Sequence, residues 1–470
     1  MDYDIIIIGA GPGGYETAAE AASRYGMKTA LIEKRELGGT CLNRGCIPTK
    51  TFLHTAELYD EVKLKGELLG FTGNTDIAVD MSHLQKRKNE VVADLRAGVS
   101  RLLKTSKVDV FDGTGSIADK SKVIVKNGDD VKELTGRHIV IATGSKPDRQ
   151  KELPGTDLPG VVTSDEILDL DRVPESLVIL GGGVIGMELA SVFNALGSRV
   201  SVLKASSKIF NNMDAELGKS LKMLMKKRGV EIKSGLSIKR IEKTDGGVAC
   251  VYSTGDDETI EREEAEMILL AKGRLAQTAG LIEDNASEAV KALELDARGR
   301  IMVDEHFCTN VEGIYAIGDC ISGDNLTSHA QLAHVATAEG RALLAYINNE
   351  KPCTDLNAVP SCIYTSPEIA SVGADPDKCK EEGRAVTVKK YPMGANGKSV
   401  LTAQERGFIK VIAEEETGRV IGASMMCARA TDMISVFTEA IVNGLTIEEM
   451  QKVMFPHPTF CEGIGEAFRR

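Results

Sequence analysis

The stretch Asp4-Ile5-Ile6-Ile7-Ile8-Gly9-Ala10-Gly11-Pro12-Gly13-Gly14 decides the fold class of this chain. Its β-branched run is typical of a buried parallel strand, and the glycines that follow fit G-x-G-x-x-G. A helix is predicted over 15–25 and a second strand over 28–32, which ends in Glu33. Strand, glycines, helix, strand and acid in this order predict a dinucleotide site rather than a merely structural turn. Its predicted contacts are Gly9, Gly11, Gly13, Gly14 and Glu33.

The same unit occurs a second time. Leu177-Val178-Ile179-Leu180 predicts a strand, and Gly181-Gly182-Gly183-Val184-Ile185-Gly186 repeats the glycine pattern. A helix over 187–196 and a strand over 199–203 follow. Two such units predict two bound dinucleotides, as an enzyme needs when it passes electrons from one cofactor to another. The glycines expected to contact the second dinucleotide are Gly181, Gly183 and Gly186.

The two units differ where the second strand ends. Glu33 lies seven residues after Gly26, and Lys204 lies seven residues after Gly197. A carboxylate accepts the ribose hydroxyls of NAD, whereas a lysine can pair with the 2′-phosphate of NADP. Lys204 could also be a solvated side chain, with NAD held by the glycines alone. We expect NAD at the second unit and keep NADP as the alternative.

Two cysteines lie between these units, in Gly38-Gly39-Thr40-Cys41-Leu42-Asn43-Arg44-Gly45-Cys46-Ile47-Pro48-Thr49-Lys50. With four residues between them, Cys41 and Cys46 can close a small ring if the chain turns once near a helix start. A helix N-terminus and the nearby Arg44 and Lys50 favour the thiolate. A zinc site would need two further ligands, and no second cluster with ligand spacing follows. The spacing favours a redox-active pair, and we expect no metal.

Composition limits the remaining possibilities. The chain has 470 residues, which suggests more than one domain, and its net charge of −12 argues against nucleic acid and anionic membranes as partners. The acidic N-terminus and the short apolar run after it do not resemble a signal peptide or a membrane span. Ten cysteines are too few for a disulfide scaffold, so a reducing, cytoplasmic location is expected. The other eight cysteines are expected to be structural.

The cysteine segment resembles the active-site motif of the FAD-containing pyridine nucleotide-disulfide oxidoreductases. The resemblance extends over nearly the whole chain. It includes Ala142-Thr143-Gly144-Ser145, Gly273-Arg274, the stretch 309–319 that ends in Asp319, Leu332-Ala333-His334, and the stretch 364–373. The resemblance implies further cofactor contacts at Lys34, Gly39, Thr40, Lys50, Gly115, Thr143, Gly144, Ser145, Glu188, Lys204, Gly273, Asp319, Gln331, Leu332, Ala333 and His334.

The resemblance also implies roles for the catalytic residues. Cys41 would be the thiol that exchanges with substrate, and Cys46 would contact the flavin. Lys50 would lie by the flavin N5 and pair with Glu188 beneath the nicotinamide. Electrons would then pass between a dithiol and NAD(P) through the Cys41–Cys46 disulfide and FAD, in either direction.

One histidine near the C-terminus carries a further expectation. His457 is bracketed by prolines in Phe455-Pro456-His457-Pro458-Thr459-Phe460-Cys461-Glu462, and Glu462 can orient its imidazole if the chain bends between them. In the family that this stretch resembles, the histidine supplies the acid/base to the disulfide of the other subunit. The resemblance therefore implies a homodimer. His83, His138, His306 and His329 are assigned no role.

The predicted fold class is α/β, with two Rossmann-like dinucleotide-binding domains in a glutathione-reductase-like arrangement and a C-terminal α+β dimerisation domain. Residues 1–148 and 273–348 are expected to form the FAD-binding domain. Residues 149–272 are expected to form the NAD(P)-binding domain, and 349–470 the interface domain. The last part has strand-like runs over 407–412 and 420–424 and a helical run over 431–443.

The stretch Ile363-Tyr364-Thr365-Ser366-Pro367-Glu368 and the tail Glu466-Ala467-Phe468 look more like dihydrolipoamide dehydrogenase than glutathione reductase. They imply dihydrolipoamide, or a lipoyl-bearing protein, as the substrate. A reductase of another small or protein disulfide is the alternative. An NADH oxidase or monooxygenase is disfavoured by the cysteine pair. An FAD-binding protein without activity is disfavoured by the complete set Cys41, Cys46, Lys50, Glu188, His457 and Glu462. The chain departs from the family pattern at Lys204, at 275–278 and at 394–398.

Overall fold

The computed structural model describes residues 1–470 except 74–76, 211–212, 256–258, 324–325, 327–329, 353 and 405–406. Its strands, in chain order, are β1 (Tyr3–Ile8), β2 (Thr29–Glu33), β3 (Asp109–Asp112), β4 (Thr114–Asp119), β5 (Lys122–Asn127), β6 (Asp130–Ile141), β7 (Ser145–Pro147), β8 (Val161–Thr163), β9 (Ser176–Leu180), β10 (Arg199–Lys204), β11 (Glu231–Ser234), β12 (Leu236–Thr244), β13 (Gly247–Thr254), β14 (Thr259–Ala265), β15 (Met267–Leu270), β16 (Arg274–Ala276), β17 (Ile301–Met302), β18 (Ile314–Ala316), β19 (Ile321–Ser322), β20 (Ser361–Ile363), β21 (Glu368–Gly373), β22 (Val386–Pro392), β23 (Phe408–Glu414) and β24 (Val420–Cys427).

The helices, in the same order, are α1 (Pro12–Ser23), α2 (Gly39–Arg44), α3 (Cys46–Lys65), α4 (Met81–Thr105), α5 (Ser164–Ile167), α6 (Val184–Ala195), α7 (Ala215–Lys227), α8 (Glu288–Lys291), α9 (Ala333–Ile347), α10 (Pro376–Glu381), α11 (Gly397–Leu401), α12 (Ala430–Val442), α13 (Ile447–Met450) and α14 (Glu462–Arg469). Short 3₁₀ turns cover Gly318–Cys320 and Met393–Ala395.

The chain folds into two compact units, each made of three stretches. The first comprises Met1–Pro48, Lys86–Asp148 and Gly273–Asn357. The second comprises Thr49–Gln85, Arg149–Lys272 and Ala358–Arg470. Each unit therefore contains one of the two glycine patterns.

The first unit is built on a sheet in the order β3-β2-β1-β6-β5-β4, with β18 paired to the other side of β6. β1 lies parallel to β2 and β6, in the register Ile8 to Ile32 and Ile8 to Ile141. All four isoleucines of β1 are buried, which explains why this strand has no polar alternation. Because β1 is central, Gly9 follows it at the carboxyl edge of the sheet, where dinucleotides bind in this fold class.

The second unit repeats this arrangement and adds an antiparallel layer. Its parallel sheet runs β11-β10-β9-β15-β8, and β9 is buried along its whole length. β12, β13 and β14 form an antiparallel sheet, as do β20, β21, β24, β23 and β22. α12 packs on β21 and β24, which confirms the predicted pattern of strands followed by a helix in the C-terminal part.

Helices α1 and α6 begin earlier than the sequence predicts, at Pro12 and Val184 rather than near 15 and 187. The reason is that Gly11 and Gly183 are the N-cap residues, so the last glycines of each pattern lie inside the first helical turn. There they allow the helix to lie close against the strand that precedes it.

Candidate functional site

The first glycine turn joins β1 to α1 and has no room for side chains on its inner side. Gly9 has φ +105°, and a methyl group there would lie 2.4 Å from the carbonyl oxygen of Ala142. A methyl group at Gly14 would lie 1.9 Å from the carbonyl oxygen of Gly9. Gly11, in contrast, would meet no described atom within 4 Å. The turn thus packs tightly against the sheet and presents Gly11 to open space.

The second glycine turn, between β9 and α6, repeats this geometry. Gly181 has φ +123°, and a methyl group at Gly186 would lie 2.1 Å from the carbonyl oxygen of Gly181. Gly183 faces open space, as Gly11 does. Neither helix start is capped by a side chain. Each turn therefore presents backbone N–H groups where a pyrophosphate can approach, and both fit a dinucleotide.

The side chains at the ends of β2 and β10 lie over equivalent residues of the two turns. The Ala10 N–H donates to Glu33 Oε2 at 2.7 Å, which places the carboxylate over the second residue of the first turn. In the second turn, a methyl group at Gly182 would lie 2.9 Å from Lys204 Cδ. The two turns therefore carry opposite charges at the same position.

The cysteine segment is packed against the first glycine turn. The Gly38 N–H donates to the Ala10 carbonyl at 2.8 Å, and a methyl group at Gly39 would lie 2.6 Å from the Gly11 Cα. Cys41 is the third residue of α2, and Cys46 is the first residue of α3. Both thiols are partly buried and lie in the first turns of successive helices, where the helix dipole favours thiolates.

The two cations expected to assist the thiols each have a carboxylate partner. Arg44 pairs with Glu36 at 2.7 Å, and this pair lowers the pKa of Glu36. Lys50, one helical turn after Cys46 on α3, donates to both oxygens of Glu188, at 2.9 Å and 2.7 Å. Glu36 thus neutralises the charge of Arg44, whereas the sequence predicted that Arg44 would favour the thiolates.

Lys50 and Glu188 are held by a third residue, Tyr364, which lies in a stretch that resembles the family but was assigned no role. The Tyr364 N–H donates to Glu188 Oε1 at 3.0 Å, and its ring centroid lies 4.5 Å from Lys50 Nζ. Glu188 is buried, and burial raises the pKa of the Tyr364 hydroxyl to about 12. A carboxylate and the face of an aromatic ring thus hold the ammonium group in place.

In the first unit, Ser145 is the centre of a hydrogen-bond cluster. Its hydroxyl donates to Asp319 Oδ2 at 2.5 Å and accepts from Arg274 Nε at 2.7 Å. Gln277 donates to the carbonyl oxygens of Thr143 and Ser145, each at 3.2 Å. Gln277 lies in one of the segments that depart from the family pattern, and its contacts show how this chain fills that position.

Several predicted cofactor residues lie around the same cluster. Lys34 Nζ donates to Gln277 Oε1 at 3.4 Å, and the Thr40 hydroxyl donates to the Ser145 carbonyl at 3.5 Å. Gln331 donates to the Asp319 carbonyl at 3.2 Å, directly before α9. These contacts bring together predicted residues that are scattered in sequence: Lys34, Thr40, Thr143, Gly144, Ser145, Asp319 and Gln331. Gly273 precedes Arg274 of the same cluster, and Leu332, Ala333 and His334 follow Gln331 in the chain. Gly115 lies in β4, where a methyl group would press on Ile8 and Ile32.

Glu339 on α9 is a further residue that the sequence analysis missed. Its carboxylate is buried and accepts a hydrogen bond from the Gly318 N–H at 2.6 Å. Burial raises the pKa of Glu339 to about 7. It therefore ties α9 to the turn that bears Asp319. No sequence motif marked it, because its partner is a backbone group that only the fold brings near.

His457 and Glu462 form the predicted pair. His457 Nδ1 lies 2.8 Å from Glu462 Oε1, and the Thr459 N–H donates to Glu462 Oε2 at 2.9 Å. The Thr459 N–H and His457 hold the pKa of Glu462 below its usual range. Buried Asn396 donates to the Thr459 carbonyl at 3.0 Å and so anchors this loop, although it lies in a segment that departs from the family pattern. In this chain the imidazole is largely exposed.

Most of the other cysteines lie in packed surroundings. Cys250, Cys320, Cys379 and Cys427 are buried, and Cys308, Cys362 and Cys461 are partly buried. Burial raises the pKa of each of these thiols. Cys353 and His329 lie outside the described residues.

Two further properties concern membranes and metals. In the part of the chain that the structure describes, no helix is both long enough and apolar enough to pass through a lipid bilayer. Among the same residues, no three His, Cys, Asp or Glu side chains are grouped as metal ligands would be.

Comparison with known proteins identifies the family. Residues 3–340 match the family model described as pyridine nucleotide-disulphide oxidoreductase, and residues 359–468 match the model of that family's dimerisation domain. The chain belongs to this family. It is therefore an oxidoreductase, and the predicted family, α/β fold class and cofactors FAD and NAD(P) are confirmed.

Individual relatives agree over nearly the full length. The chain is 37% identical to dihydrolipoyl dehydrogenase of Bacillus subtilis, over 99% of this chain and 97% of the relative. It is equally similar to the mitochondrial dihydrolipoyl dehydrogenase of Pisum sativum, of which 90% is covered. Among solved structures, LpdA of Mycobacterium tuberculosis matches with a TM-score of 0.89 at 25% identity, with 99% of each chain covered. The Cu(II) complex of the HOCl-induced flavoprotein disulfide reductase RclA of Escherichia coli matches with a TM-score of 0.86 at 28% identity, covering 100% of this chain and 99% of that one.

Proposed function

We propose that this oxidoreductase passes electrons between a dithiol and NAD(P) through a Cys41–Cys46 disulfide and FAD. The observation that carries the proposal is the packing of the cysteine segment on the first glycine turn, where Gly39 contacts Gly11. When bound, FAD supplies the step between thiol chemistry and hydride transfer.

The proposed thiol chemistry begins at Cys41. A substrate thiolate attacks the Cys41 sulfur and the Cys41–Cys46 bond breaks, so Cys46 leaves as a thiolate. The second substrate thiol then attacks the mixed disulfide. The substrate leaves as a disulfide, and its two electrons remain on the Cys41–Cys46 pair. The first turn of α3 stabilises the Cys46 thiolate, and Lys50, held by Glu188, would supply positive charge to the flavin when it is bound.

His457 is the proposed acid/base, and Glu462 orients it. The imidazole is exposed in the single chain, and residues 359–468 match a dimerisation domain; both observations support a role for His457 in a second copy of the chain. We therefore propose a homodimer in which His457 of each chain takes the proton from the dithiol at the other chain's cysteines.

The domain assignment belongs to the same proposal. Residues 1–148 and 273–348 would bind FAD, 149–272 would bind NAD(P), and 349–470 would form the interface. The proposed FAD contacts are Gly9, Gly11, Gly13, Gly14, Glu33, Lys34, Gly39, Thr40, Gly115, Thr143, Gly144, Ser145, Asp319, Gln331, Leu332, Ala333 and His334. The proposed nucleotide contacts are Gly181, Gly183, Gly186, Glu188 and Lys204. Lys50 and Gly273 are further proposed cofactor contacts.

We propose dihydrolipoamide, alone or on a lipoyl-bearing protein, as the dithiol. Relatives of 34–37% identity that are named dihydrolipoyl dehydrogenase support this choice. The scattered distribution of cysteines supports a reducing, cytoplasmic location.

A steady-state assay of NAD(P) reduction by dihydrolipoamide tests the proposal. Cys41→Ser and Cys46→Ser should abolish turnover. His457→Gln should lower kcat by about a hundredfold or more, as expected for loss of a general base. Cys308→Ser, which changes a partly buried thiol elsewhere in the first unit, should leave the turnover rate unchanged. NAD(P)H-dependent reduction of another disulfide such as glutathione disulfide, without turnover of dihydrolipoamide, would reject the proposed substrate.

A further inference from the structure

The end of β10 carries a buried lysine beside the second glycine turn. Lys204 is only 6% exposed. A methyl group at Gly182 would lie 2.9 Å from its Cδ, 3.5 Å from its Cε and 3.7 Å from its Nζ. The whole end of the side chain is therefore laid along the turn and is not a solvated surface group.

The corresponding position in the first unit shows what this placement means. Glu33 ends β2 as Lys204 ends β10, and its carboxylate accepts from the Ala10 N–H at 2.7 Å. Ala10 and Gly182 are the second residues of the two turns. In such a unit, the side chain over this residue faces the adenosine ribose and discriminates a 2′-hydroxyl from a 2′-phosphate. Lys204 thus places an ammonium donor where the first unit has a carboxylate acceptor.

No described carboxylate forms an ion pair with Lys204; its Nζ donates to the backbone carbonyl of Lys208. Lys208 and Lys222 are exposed, and no ion pair with a described carboxylate involves either of them. Burial and the nearby charge of Lys222 lower the pKa of Lys204, which is the direction expected for an ammonium group that lacks a counter-ion. Lys50 shows the alternative, since Glu188 neutralises it.

We infer that Lys204, with the nearby charge of Lys222, forms a subsite for the 2′-phosphate of NADP. A phosphate dianion would supply the missing negative charge, and lysine binds phosphate as a compact cation. The subsite favours NADP, the alternative in the sequence analysis, over NAD. The inference rests on the proposed function only in taking the second unit as the pyridine-nucleotide site.

The competing explanation is that Lys204 only holds the loop at Lys208 through the carbonyl bond. In that case the ammonium would serve the fold, and a ligand's 2′-phosphate would gain nothing from it. The two explanations differ in what a small ligand with and without that phosphate should do.

Calorimetric titration of the FAD-loaded protein separates them. Adenosine 2′,5′-bisphosphate and 5′-AMP are the probes, because they differ only in the 2′-phosphate. We expect the bisphosphate to bind at least about tenfold more tightly, as charge-assisted hydrogen bonds would give. Lys204→Met keeps the aliphatic stem over Gly182 and should bring the two affinities to within about threefold.

Lys222→Gln provides a second variant at an exposed site, where folding is not at risk, and should reduce the preference several-fold. Lys239→Gln is the matched control, since Lys239 is exposed on β12, in another sheet of the same unit. Equal affinities in the unchanged protein, or a preference that survives Lys204→Met, would overturn the inference.

The result does not depend on the thiol chemistry, because neither probe carries a nicotinamide or a sulfur. Conversely, reduction of the bound flavin by dihydrolipoamide needs no nucleotide. Failure of that reduction with an intact bisphosphate preference would reject the proposed function alone. Failure of the preference with normal flavin reduction would reject the subsite alone.

Discussion

The two glycine turns of this protein share a backbone and differ in charge. Gly9 and Gly181 both have positive φ, at +105° and +123°, and Gly14 and Gly186 both lie close under the carbonyl of the turn's first glycine. Over these matched turns lie Glu33 in the first unit and Lys204 in the second. The glycines therefore fix where a dinucleotide can approach, and one side chain at the end of the second strand distinguishes the two units.

The largest expected effect on cofactor affinity comes from substitutions that block each glycine turn separately. Gly11 and Gly183 have extended backbone angles and open space around a Cβ position, so valine fits the fold but blocks the pyrophosphate. We expect Gly11→Val to fold without FAD, and Gly183→Val to retain FAD but lose NAD(P), each with affinity reduced by about a thousandfold or more, roughly 4 kcal/mol. Flavin absorbance and nucleotide titration measure both.

Gly246→Val is the matched control, because Gly246 also borders open space but lies in the turn between β12 and β13. It should bind both cofactors normally. If Gly11→Val lowered NAD(P) affinity while FAD remained bound, the two turns would have been assigned the wrong way round.

The second prediction concerns Glu339, the buried carboxyl in the first unit. Its pKa is raised from an ordinary 4.5 to about 7, so between these values the folded protein holds a proton that the unfolded chain releases. The free energy of unfolding should therefore fall as the pH rises from about 4.5 to about 7 and be level above. The total change is at most about 3 kcal/mol.

Glu339→Gln should remove this part of the pH dependence, and Glu294→Gln, an exposed glutamate of the same unit, should not. Urea unfolding of the FAD-loaded proteins at several pH values measures it. Parallel curves for the Glu339→Gln variant and the unchanged protein would show that the carboxyl titrates normally.

The smallest expected effect is on kcat, and it tests whether Lys50, unlike Lys204, is held by neighbouring side chains. Tyr364→Leu removes the ring that holds Lys50, whereas Tyr364→Phe keeps it. A cation–π contact contributes about 0.5–2 kcal/mol, so Tyr364→Leu should lower kcat about 2- to 30-fold and shift the flavin potential, and Tyr364→Phe should restore both. Tyr59→Leu, which removes a similar ring contact to Lys63 on the surface of α3, is the control. Equal losses in the Leu and Phe variants would contradict a role for the ring.

The sequence predicted the parts of this molecule that are local along the chain. The two strand–glycine–helix units, the cysteine pair and the His457–Glu462 contact all lie within short segments of the chain. The pairing of Lys50 with Glu188, 138 residues apart, was available only through the family resemblance.

Contacts between segments that are distant in sequence were not predictable from spacing. Tyr364 reaches Glu188 across 176 residues, and Glu339 reaches a backbone N–H across 21. Asn396 supports the loop of His457 from a segment that matches the family only loosely. These residues depend on how strands and helices pack, so their positions follow from the tertiary fold and not from spacing.

The central claim is that Cys46 delivers electrons to the bound flavin. Anaerobic titration of the purified protein with dihydrolipoamide, followed by absorbance, tests it most directly. We predict a long-wavelength thiolate–flavin band on reduction of the unchanged protein, and its loss in Cys46→Ser with the flavin still bound. A band that persists in Cys46→Ser, or a purified protein that carries no flavin, would contradict the account.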